Sequence, residues 1–318
     1  MSTTRNLGIL LVCGLAGLSA CSSDDQTAFR QEFESNELSW RAEVSDPAFP
    51  SGLGDRVCID QGHNNFHTAD ETYAPFANLL RDDGYDVESF DSVFSTKALQ
   101  RCRILVTVSP VADGNDGRQG GSWAYPHSSA FSQVELTAIV EWIRGGGALL
   151  LIVDHAPWPG AAGDLGLLLG AVMLDGYALG IPVFRSRDAT LGNHPILEGR
   201  SESEKVDSVV TFTGHAFWPS QELQPLLIFD SDAVAEIRLE DNLPWVPRSE
   251  WPRISIAGWL HGAAGLIGGG RIVILGEAAM CTAQVDEDGA FGMNHPSATQ
   301  NAQFCLNIVH WLSGMIGE

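Results

Sequence analysis

Basic residues are scarce in this 318-residue sequence. It contains 18 Lys and Arg against 40 Asp and Glu, which gives a formal net charge of −22 at pH 7. Such a surface repels the phosphates of nucleic acids and the headgroups of anionic lipids. The composition therefore argues against a nucleic-acid partner and against electrostatic docking onto a membrane.

Several motifs with well-known chemistry are missing as well. The six cysteines form no C-x-x-C pair, which argues against a zinc knuckle and against a thioredoxin-like site. The H-E-x-x-H motif of zinc proteases is also absent. After residue 20, no run is long and apolar enough to form a transmembrane helix.

The first twenty residues have the pattern of an export signal. Arg5 is a short positive segment, and an apolar stretch from Leu7 to Leu18 follows it. The stretch ends in Leu18-Ser19-Ala20-Cys21, which resembles the bacterial lipobox, in which the cysteine becomes the lipidated first residue. An ordinary secretory signal is the alternative. We expect residues 1–20 to be a lipoprotein signal peptide and Cys21 to carry the lipid.

The residues after Cys21 indicate where the protein is held. Ser22-Ser23 is typical of sorting to the outer membrane of Gram-negative bacteria, and residues 21–46 are polar and acidic enough for a flexible tether. We therefore expect attachment to the lipid bilayer through Cys21, facing the periplasm. That location permits disulfides. Three pairings, or buried free thiols, are open to the four remaining cysteines: Cys58, Cys102, Cys281 and Cys305.

The rest of the chain, residues 47–318, alternates strand and helix patterns. The apolar run Arg56-Val57-Cys58-Ile59 precedes Thr68 and Glu71, whose spacing predicts a capping box at the start of a helix. Ser132 and Glu135 form a second capping box, and a triple glycine ends that helix before the next apolar run. The β-α-β pattern predicts an α/β domain with a parallel sheet. Residues 172–260 form a less regular insertion, where we expect mixed or antiparallel pairing.

Four predicted strands end in polar residues. In an open parallel sheet, ligands bind beyond the carboxyl ends of the strands. If the four strands are parallel neighbours, the polar residues at their ends share one rim. These residues are Asp60, His63 and His67 after the first strand, Ser109 after the second, Asp154 and His155 after the third, and Glu277 after the fourth.

The residue types at this rim suit hydrolysis. Imidazole and carboxylate groups bind a divalent metal such as zinc, and a metal-bound water becomes a nucleophile. The predicted metal ligands are Asp60, His63, His67, Asp154 and His155. The predicted catalytic residues are His63, Asp154, His155 and Glu277. A metal-free alternative uses Ser109 as nucleophile with His155 or His63 as base, although Ser109-Pro110 lacks a Gly-x-Ser-x-Gly elbow.

Amide side chains and aromatic rings near the same strand ends suit a small polar or carbohydrate ligand. The predicted ligand-binding residues are Asn64, Asn65, Ser109 and Trp158, and Trp123, Tyr125 and Trp218 are further candidates. A non-catalytic binding module of the envelope is therefore the alternative to an enzyme. A third alternative is a structural lipoprotein whose rim residues bond only to their own loops.

Three segments resemble class I glutamine amidotransferase-like domains, in particular bacterial relatives grouped as domains of unknown function. They are Asp60-Gln61-Gly62-His63-Asn64-Asn65, residues 141–152 and residues 307–312. The resemblance covers most of residues 55–317 and implies a flavodoxin-like, doubly wound sheet with helices on both faces. Amidotransferases place a nucleophilic Cys on a strand–helix elbow. The turns here carry Asp154-His155 or Ser109-Pro110 instead, so we do not expect a Cys-dependent glutaminase.

Overall fold

The elements follow the alternation of apolar strands and amphipathic helices along the chain. A computed structural model describes residues 35–113, 127–180, 183–237, 251–286 and 289–317, which belong to one compact unit. The predicted signal peptide and Cys21 lie outside these residues, as does most of the predicted tether. Among the described residues, none of the helices has the length and apolar character needed to cross a membrane.

The strands are β1 (Ser35–Asn36), β2 (Arg56–Asp60), β3 (Asp86–Phe90), β4 (Ile104–Val108), β5 (Ala148–Ile152), β6 (Ala171–Met173), β7 (Gly176–Ala178), β8 (Val183–Arg185), β9 (Ser208–Val210), β10 (Phe217–Pro219), β11 (Gln224–Ile228), β12 (Val234–Ile237), β13 (Arg253–Ser255), β14 (Leu260–Ile267), β15 (Gly270–Leu275), β16 (Ala283–Asp286) and β17 (Gly289–Gly292). The helices are α1 (Ala74–Asp82), α2 (Thr96–Leu99), α3 (Gln133–Arg144), α4 (Trp158–Leu168), α5 (Pro195–Glu198) and α6 (Asn301–Leu312).

The central sheet has nine strands, in the order β3-β2-β4-β5-β15-β14-β10-β6, with β11 also paired to β14. The first five strands of this order are parallel, and the others add an antiparallel extension. Numbered along the chain, the parallel strands lie in the order 2-1-3-4-5, which is the flavodoxin order. The predicted α/β fold with a mostly parallel sheet and an antiparallel extension is confirmed.

Helices cover both faces of this sheet, and alternate residues of each strand point to opposite faces. On the α1/α6 face, Ile152 and Leu275 pack in one core with Phe76 of α1 and Phe304 of α6. The residues that alternate with these along each strand point to the α3/α4 face, where they pack with the apolar stripe of α3 and with α4. The inner strands β4 and β5 are therefore almost entirely apolar and wholly buried, as expected of a parallel sheet covered on both sides, whereas the edge strand β3 carries Asp86, Glu88 and Ser89.

The start of α1 differs from the prediction. The helix begins at Ala74, and Thr68 lies in a turn, where its hydroxyl donates to a Glu71 carboxylate oxygen at 3.1 Å. A helix starting after Thr68 would put Pro75 in its interior, where the missing N–H and the ring clash are costly. Pro75 fits the first turn of the observed helix. The predicted capping box of Ser132 and Glu135 at α3 is confirmed.

Small antiparallel sheets complete the domain. They have the orders β13-β12-β7, β8-β9 and β1-β16-β17. All strands of these small sheets pair antiparallel. Most of them lie within the irregular residues 172–260, where mixed or antiparallel pairing is the prediction.

Two disulfides join buried cysteines. Cys58 in β2 pairs with Cys102, and Cys281 pairs with Cys305 in α6, with Cα–Cα distances of 5.7 and 6.2 Å. The structure thus chooses one of the three pairings that the sequence left open. The second disulfide ties the turn Ala279–Cys281, which follows β15, to the helix that packs beneath it.

We expect each disulfide to contribute about 3–4 kcal/mol to the free energy of unfolding, because they close loops of 44 and 24 residues. Urea unfolding of Cys58→Ala/Cys102→Ala and of Cys281→Ala/Cys305→Ala measures each loss. Peptide mapping of the non-reduced protein checks the pairing. A different pairing, or free thiols at these positions, would contradict the assignment.

Candidate functional site

The polar strand ends form two groups, because side chains alternate along each strand. Asp60 continues the row of Cys58, which packs on the α3/α4 face. Asp154 and Glu277 continue the rows of Ile152 and Leu275, which pack on the α1/α6 face. The structure therefore divides the predicted common rim into an Asp60 group and an Asp154–Glu277 group.

The Asp60 group is a closed hydrogen-bond network. The buried Asp60 carboxylate accepts from His63 Nδ1 at 2.9 Å and from the Thr107 hydroxyl at 2.7 Å. His63 Nε2 lies 2.9 Å from Glu135 Oε1 at the start of α3, and that oxygen also accepts the Phe94 N–H. Both ring nitrogens of His63 thus face carboxylates, so the ring joins β2 to α3.

Charge and burial compete in this network. Burial lowers the pKa of His63, but the hydrogen bonds and negative charges of Asp60 and Glu135 outweigh it and leave that pKa above its ordinary value. Burial raises the pKa of Glu135, but the hydrogen bonds from His63 and Ser132 outweigh it and leave that pKa below its ordinary value. The network is an ion-pair clamp, and neither nitrogen of His63 is available as a catalytic base.

The two neighbouring amides differ, because Asn65 bonds inward and Asn64 bonds at the surface. The Asn65 amide donates to Asp60, Thr107 and the Val108 carbonyl, so it holds the loop after β2 against β4. Asn64 Nδ2 donates to Asp113 Oδ1 at 2.9 Å.

The predicted metal site is not assembled. No three His, Cys, Asp or Glu side chains among the described residues come together as a metal-binding group. The reason is geometric: Asp60 and His63 lie in the clamp on the α3/α4 face, while Asp154 lies on the other. His67 Nδ1 is 2.7 Å from the Thr72 hydroxyl, and His155 Nδ1 is 2.8 Å from the Ala156 carbonyl.

Asp154 and Glu277 form a buried carboxyl pair. Ile152 of β5 and Leu275 of β15 are paired across the two parallel strands. Asp154 lies two residues after Ile152, and Glu277 lies two residues after Leu275. Glu277 is wholly buried and Asp154 is 6% exposed. Glu277 Oε1 accepts the N–H groups of Phe212 at 2.5 Å and Thr213 at 2.6 Å. Among the described residues, Oε2 has no hydrogen-bond partner.

The electrostatics of this pair favour a neutral Glu277. Burial and the negative charge of Asp154 raise the pKa of Glu277 well above its ordinary value, and backbone N–H groups oppose them only in part. Oε1 accepts two N–H groups, which disfavours a proton on that oxygen. Burial and both carboxyls raise the pKa of the Tyr73 hydroxyl, which donates to the Ala278 carbonyl at 2.8 Å. A neutral acid beside an anion is a general acid–base arrangement.

Ser109 links the two strand ends without forming a catalytic triad. Its backbone has φ +45°, which is uncommon for a residue with a Cβ, and its side chain is buried. Its Oγ accepts the Asp154 N–H at 3.3 Å. Among the described residues, neither His63 nor His155 hydrogen-bonds to it. Ser109 therefore positions the Asp154 backbone in this structure.

A row of rings includes His155, the residue that follows Asp154 in the chain, and we call it the aromatic row. Its members, in order of contact, are Phe66, Trp158, His155, Tyr177 and Trp251. Centroids of neighbouring rings are 5.5, 5.1, 4.2 and 5.9 Å apart. Trp158 is buried and the other four rings are half-buried.

Sequence reasoning found Trp158 and His155 but missed Phe66, Tyr177 and Trp251. The last two belong to the irregular insertion, whose return to β5 is a long-range contact that no local spacing indicates. Trp218 is 53% exposed on β10, outside the row, and makes an edge-to-face contact with Trp259. The candidates Trp123 and Tyr125 lie outside the described residues.

Comparison with known proteins identifies a shared fold. No family model matches the chain, and no curated protein matches its sequence. The mmIFT52 N-terminal domain is similar with a TM-score of 0.56 at 11% identity, covering 81% of this chain and 97% of that one. A ThuA-like protein from Bacteroides uniformis gives a TM-score of 0.43 at 11% identity, covering 85% and 94%. At these identities the likeness concerns the fold alone.

We expect Glu135→Gln to weaken the clamp in a pH-dependent way. Because folding raises the pKa of His63, the ion pair of this ring stabilises the protein fully below pH 6.5. That stabilisation is lost as the pH rises through the pKa of His63 in the folded protein. Because the pKa of Glu135 is lowered, its contribution is complete above pH 4.5 and is lost as the pH falls through its folded value. The loss of unfolding free energy should be about 2 kcal/mol and largest between these two values.

Urea unfolding between pH 4 and 8 measures this effect. The amide oxygen of glutamine can keep the capping hydrogen bond, but its NH2 group then replaces the oxygen that accepts from Phe94 and faces His63. The pH-dependent part of the loss therefore measures the charge, and the pH-independent part measures those hydrogen bonds. Glu141→Gln, on the exposed side of the same helix, is the matched control and should show little change. A difference between wild type and Glu135→Gln that does not vary with pH would count against the ion pair.

Proposed function

We propose that this protein is a lipid-anchored envelope enzyme that hydrolyses its substrate by acid–base catalysis at the Asp154–Glu277 pair. The observation that supports this most directly is the pair itself. Two carboxyls are buried at matching positions of adjacent strands, and neither forms an ion pair with a Lys or Arg within the part of the chain that the structure describes. Strongly perturbed groups of this kind are typical of functional sites.

The pair is poorly explained as structure alone. Accepting the N–H groups of Phe212 and Thr213 needs only a neutral oxygen, which a glutamine would supply without repelling Asp154. A carboxylic acid kept neutral beside an anion can instead donate a proton. In the proposed reaction, Glu277 protonates the leaving group while Asp154 accepts a proton from the attacking water. No metal takes part in this proposal.

The relation to class I glutamine amidotransferase-like domains remains part of the proposal. The strand order 2-1-3-4-5 supports it. The turn after β5 carries Asp154 and His155, so the proposed chemistry is hydrolysis without a cysteine nucleophile.

The location is proposed from the lipobox, with Cys21 as the lipidated residue and the domain facing the periplasm from the outer membrane. The two disulfides are consistent with it, because such bonds persist in oxidising compartments.

A non-catalytic binding module for a small polar or carbohydrate ligand is the second candidate. The aromatic row favours it, since clustered aromatic side chains are typical of ligand-binding sites whether or not a reaction follows. In that case the row would bind a ligand that the protein leaves unchanged.

Cys21→Ser should abolish lipid attachment, because the thioether needs the thiol. Expression in a Gram-negative host with an alkyne analogue of palmitate, followed by fractionation, measures this. Wild type should carry the label and be found in the membrane fraction, and Cys21→Ser should be unlabelled and absent from that fraction. Cys13→Ser is the matched control and should keep the label. An unlabelled wild-type protein would contradict the anchor.

Glu277→Gln and Asp154→Asn should each reduce kcat at least about 100-fold, since each removes a proton-transfer group. The wild-type protein is first assayed on a panel of chromogenic esters, amides and glycosides to identify the substrate class, and the variants are then assayed on that class. Asp164→Asn, on the exposed side of α4, is the matched control and should retain activity. Wild-type protein inactive on every class, or variants as active as wild type, would contradict the proposal.

The same Glu277→Gln variant should change the pH dependence of stability. Because folding raises the pKa of Glu277, protonated Glu277 contributes fully to the free energy of unfolding below pH 4.5. This contribution is lost as the pH rises toward the pKa of Glu277 in the folded protein. Wild type should therefore lose up to about 1.4 kcal/mol of unfolding free energy per pH unit relative to the variant. A wild type that gains stability over the variant as the pH rises would show that Glu277 is a favourably paired anion.

A further inference from the structure

The two carboxyls lie beyond the point where the strand pairing ends. The β5–β15 register stops at Ile152 and Leu275, and the Val153 N–H donates to the Leu275 carbonyl at 2.9 Å just beyond it. Asp154 and Glu277 follow on the turns after the two strands. Two carboxyls buried side by side lower their free energy by moving apart or into water, so their proximity depends on other contacts.

A segment that we call the strap, residues 212–216, crosses the turn that carries Glu277. It packs closely, because a Cβ at Gly214 would lie 2.3 Å from the Gly276 carbonyl oxygen and 2.9 Å from the Glu277 Cβ. A Cβ at Gly276 would in turn lie 2.4 Å from the His215 carbonyl oxygen. Gly214 also has φ +102°, a conformation that favours glycine. The strap and the turn therefore meet backbone to backbone.

His215 of the strap bonds to both turns at once. Its N–H donates to the Gly276 carbonyl at 2.8 Å, and its ring Nδ1 lies 3.1 Å from the Val153 carbonyl. These carbonyls belong to the residues that precede Glu277 and Asp154 in the chain. A single wholly buried residue thus ties together the two backbones that carry the carboxyl pair.

The His215 ring has one defined state. A carbonyl oxygen accepts but does not donate, so the ring proton lies on Nδ1. Burial lowers the pKa of His215 to about 3, which keeps the ring neutral near pH 7. His261 supports the strap in the same way: its Nδ1 donates to the His215 carbonyl at 2.8 Å, and burial lowers its pKa to about 4. Both rings are therefore neutral hydrogen-bond donors.

We infer that His215 is a positioning residue, which holds Asp154 and Glu277 beside each other by bonding to the backbone before each of them. The inference rests on the proposed function for the use of the pair, and it adds a residue that acts on the reaction only through the two carboxyls. Loss of the Nδ1–H bond would free the Asp154 turn from the strap. The carboxyls would then separate, and the pKa of Glu277 would fall toward its ordinary value.

A matched pair of variants tests this inference in the full chain. The amide nitrogen of an asparagine and a methyl carbon of a leucine each lie as many bonds from Cα as Nδ1 of His215 does. Only the asparagine has an N–H at that place. His215→Asn and His215→Leu both remove the rest of the ring, so they differ chiefly in this hydrogen bond.

We expect His215→Leu to lower the pKa of Glu277, in the direction expected for Asp154→Asn, and His215→Asn to keep it near the wild-type value. The carboxyl ¹³C resonance of Glu277 measures this without a substrate. On the substrate class that wild type hydrolyses, His215→Leu should lower kcat about 100-fold with little change in KM, because it displaces the reacting groups. His215→Asn should recover most of that loss.

Two further variants separate positioning from a general loss of stability. Glu135→Gln weakens the clamp on the opposite face of the sheet and should leave the pKa of Glu277 and kcat unchanged. If His215→Leu does not fold, His261→Leu takes its place, with His261→Asn as its partner. That change removes the bond to the strap carbonyl and should lower the pKa of Glu277 in the same direction.

A folded His215→Leu protein with the wild-type pKa of Glu277 would overturn the inference, as would a His215→Asn protein impaired as much as His215→Leu. The two proposals can fail separately. A Glu277 pKa that follows the Leu–Asn difference, without hydrolysis of any test substrate, would contradict the enzyme and keep the positioning role. An active enzyme whose kcat and Glu277 pKa do not respond to His215→Leu would contradict the positioning role and keep the enzyme.

Discussion

The register between β5 and β15 determines most of what this site can do. Ile152 and Leu275 are opposite each other in parallel strands, so the residues two positions further on, Asp154 and Glu277, come to the same face at the same height. The turn that follows each strand is buried, and the two carboxyls therefore meet away from bulk water. Their mutual repulsion and desolvation favour one proton on Glu277, from which the proposed chemistry follows.

The surrounding scaffold keeps these two turns in place. Glu277 is held from one side by the N–H groups of Phe212 and Thr213. The segment after it is fixed by the Tyr73 hydroxyl and by the Cys281–Cys305 disulfide to α6. On the opposite face, the His63 clamp joins β2 to α3. Asp60 and His63, which the sequence predicts as metal ligands, thus have a structural role in this clamp.

Local sequence patterns predict the parallel sheet, the capping box at Ser132 and the strand ends, because each depends on neighbouring residues. They place α1 too early because Thr68 and Glu71 have the spacing of a cap, whereas Pro75 sets where the helix begins. Alternation within each strand puts Asp60 on the face of Cys58 and Asp154 on the face of Ile152, but only the register between the strands shows that these are opposite faces. The pairing of Tyr177 with His155 joins distant parts of the chain, and no single-sequence pattern indicates it.

The protonation state of Glu277 is the most direct test of this account. The side-chain carboxyl ¹³C resonance, assigned by its loss in Glu277→Gln, reports this state as the pH is varied. We predict that Glu277 stays protonated well above its ordinary pKa of 4.5, and that Asp154→Asn lowers its pKa. A Glu277 that titrates near its ordinary value, or whose pKa is unaffected by Asp154→Asn, would contradict the buried carboxyl pair and the chemistry proposed from it.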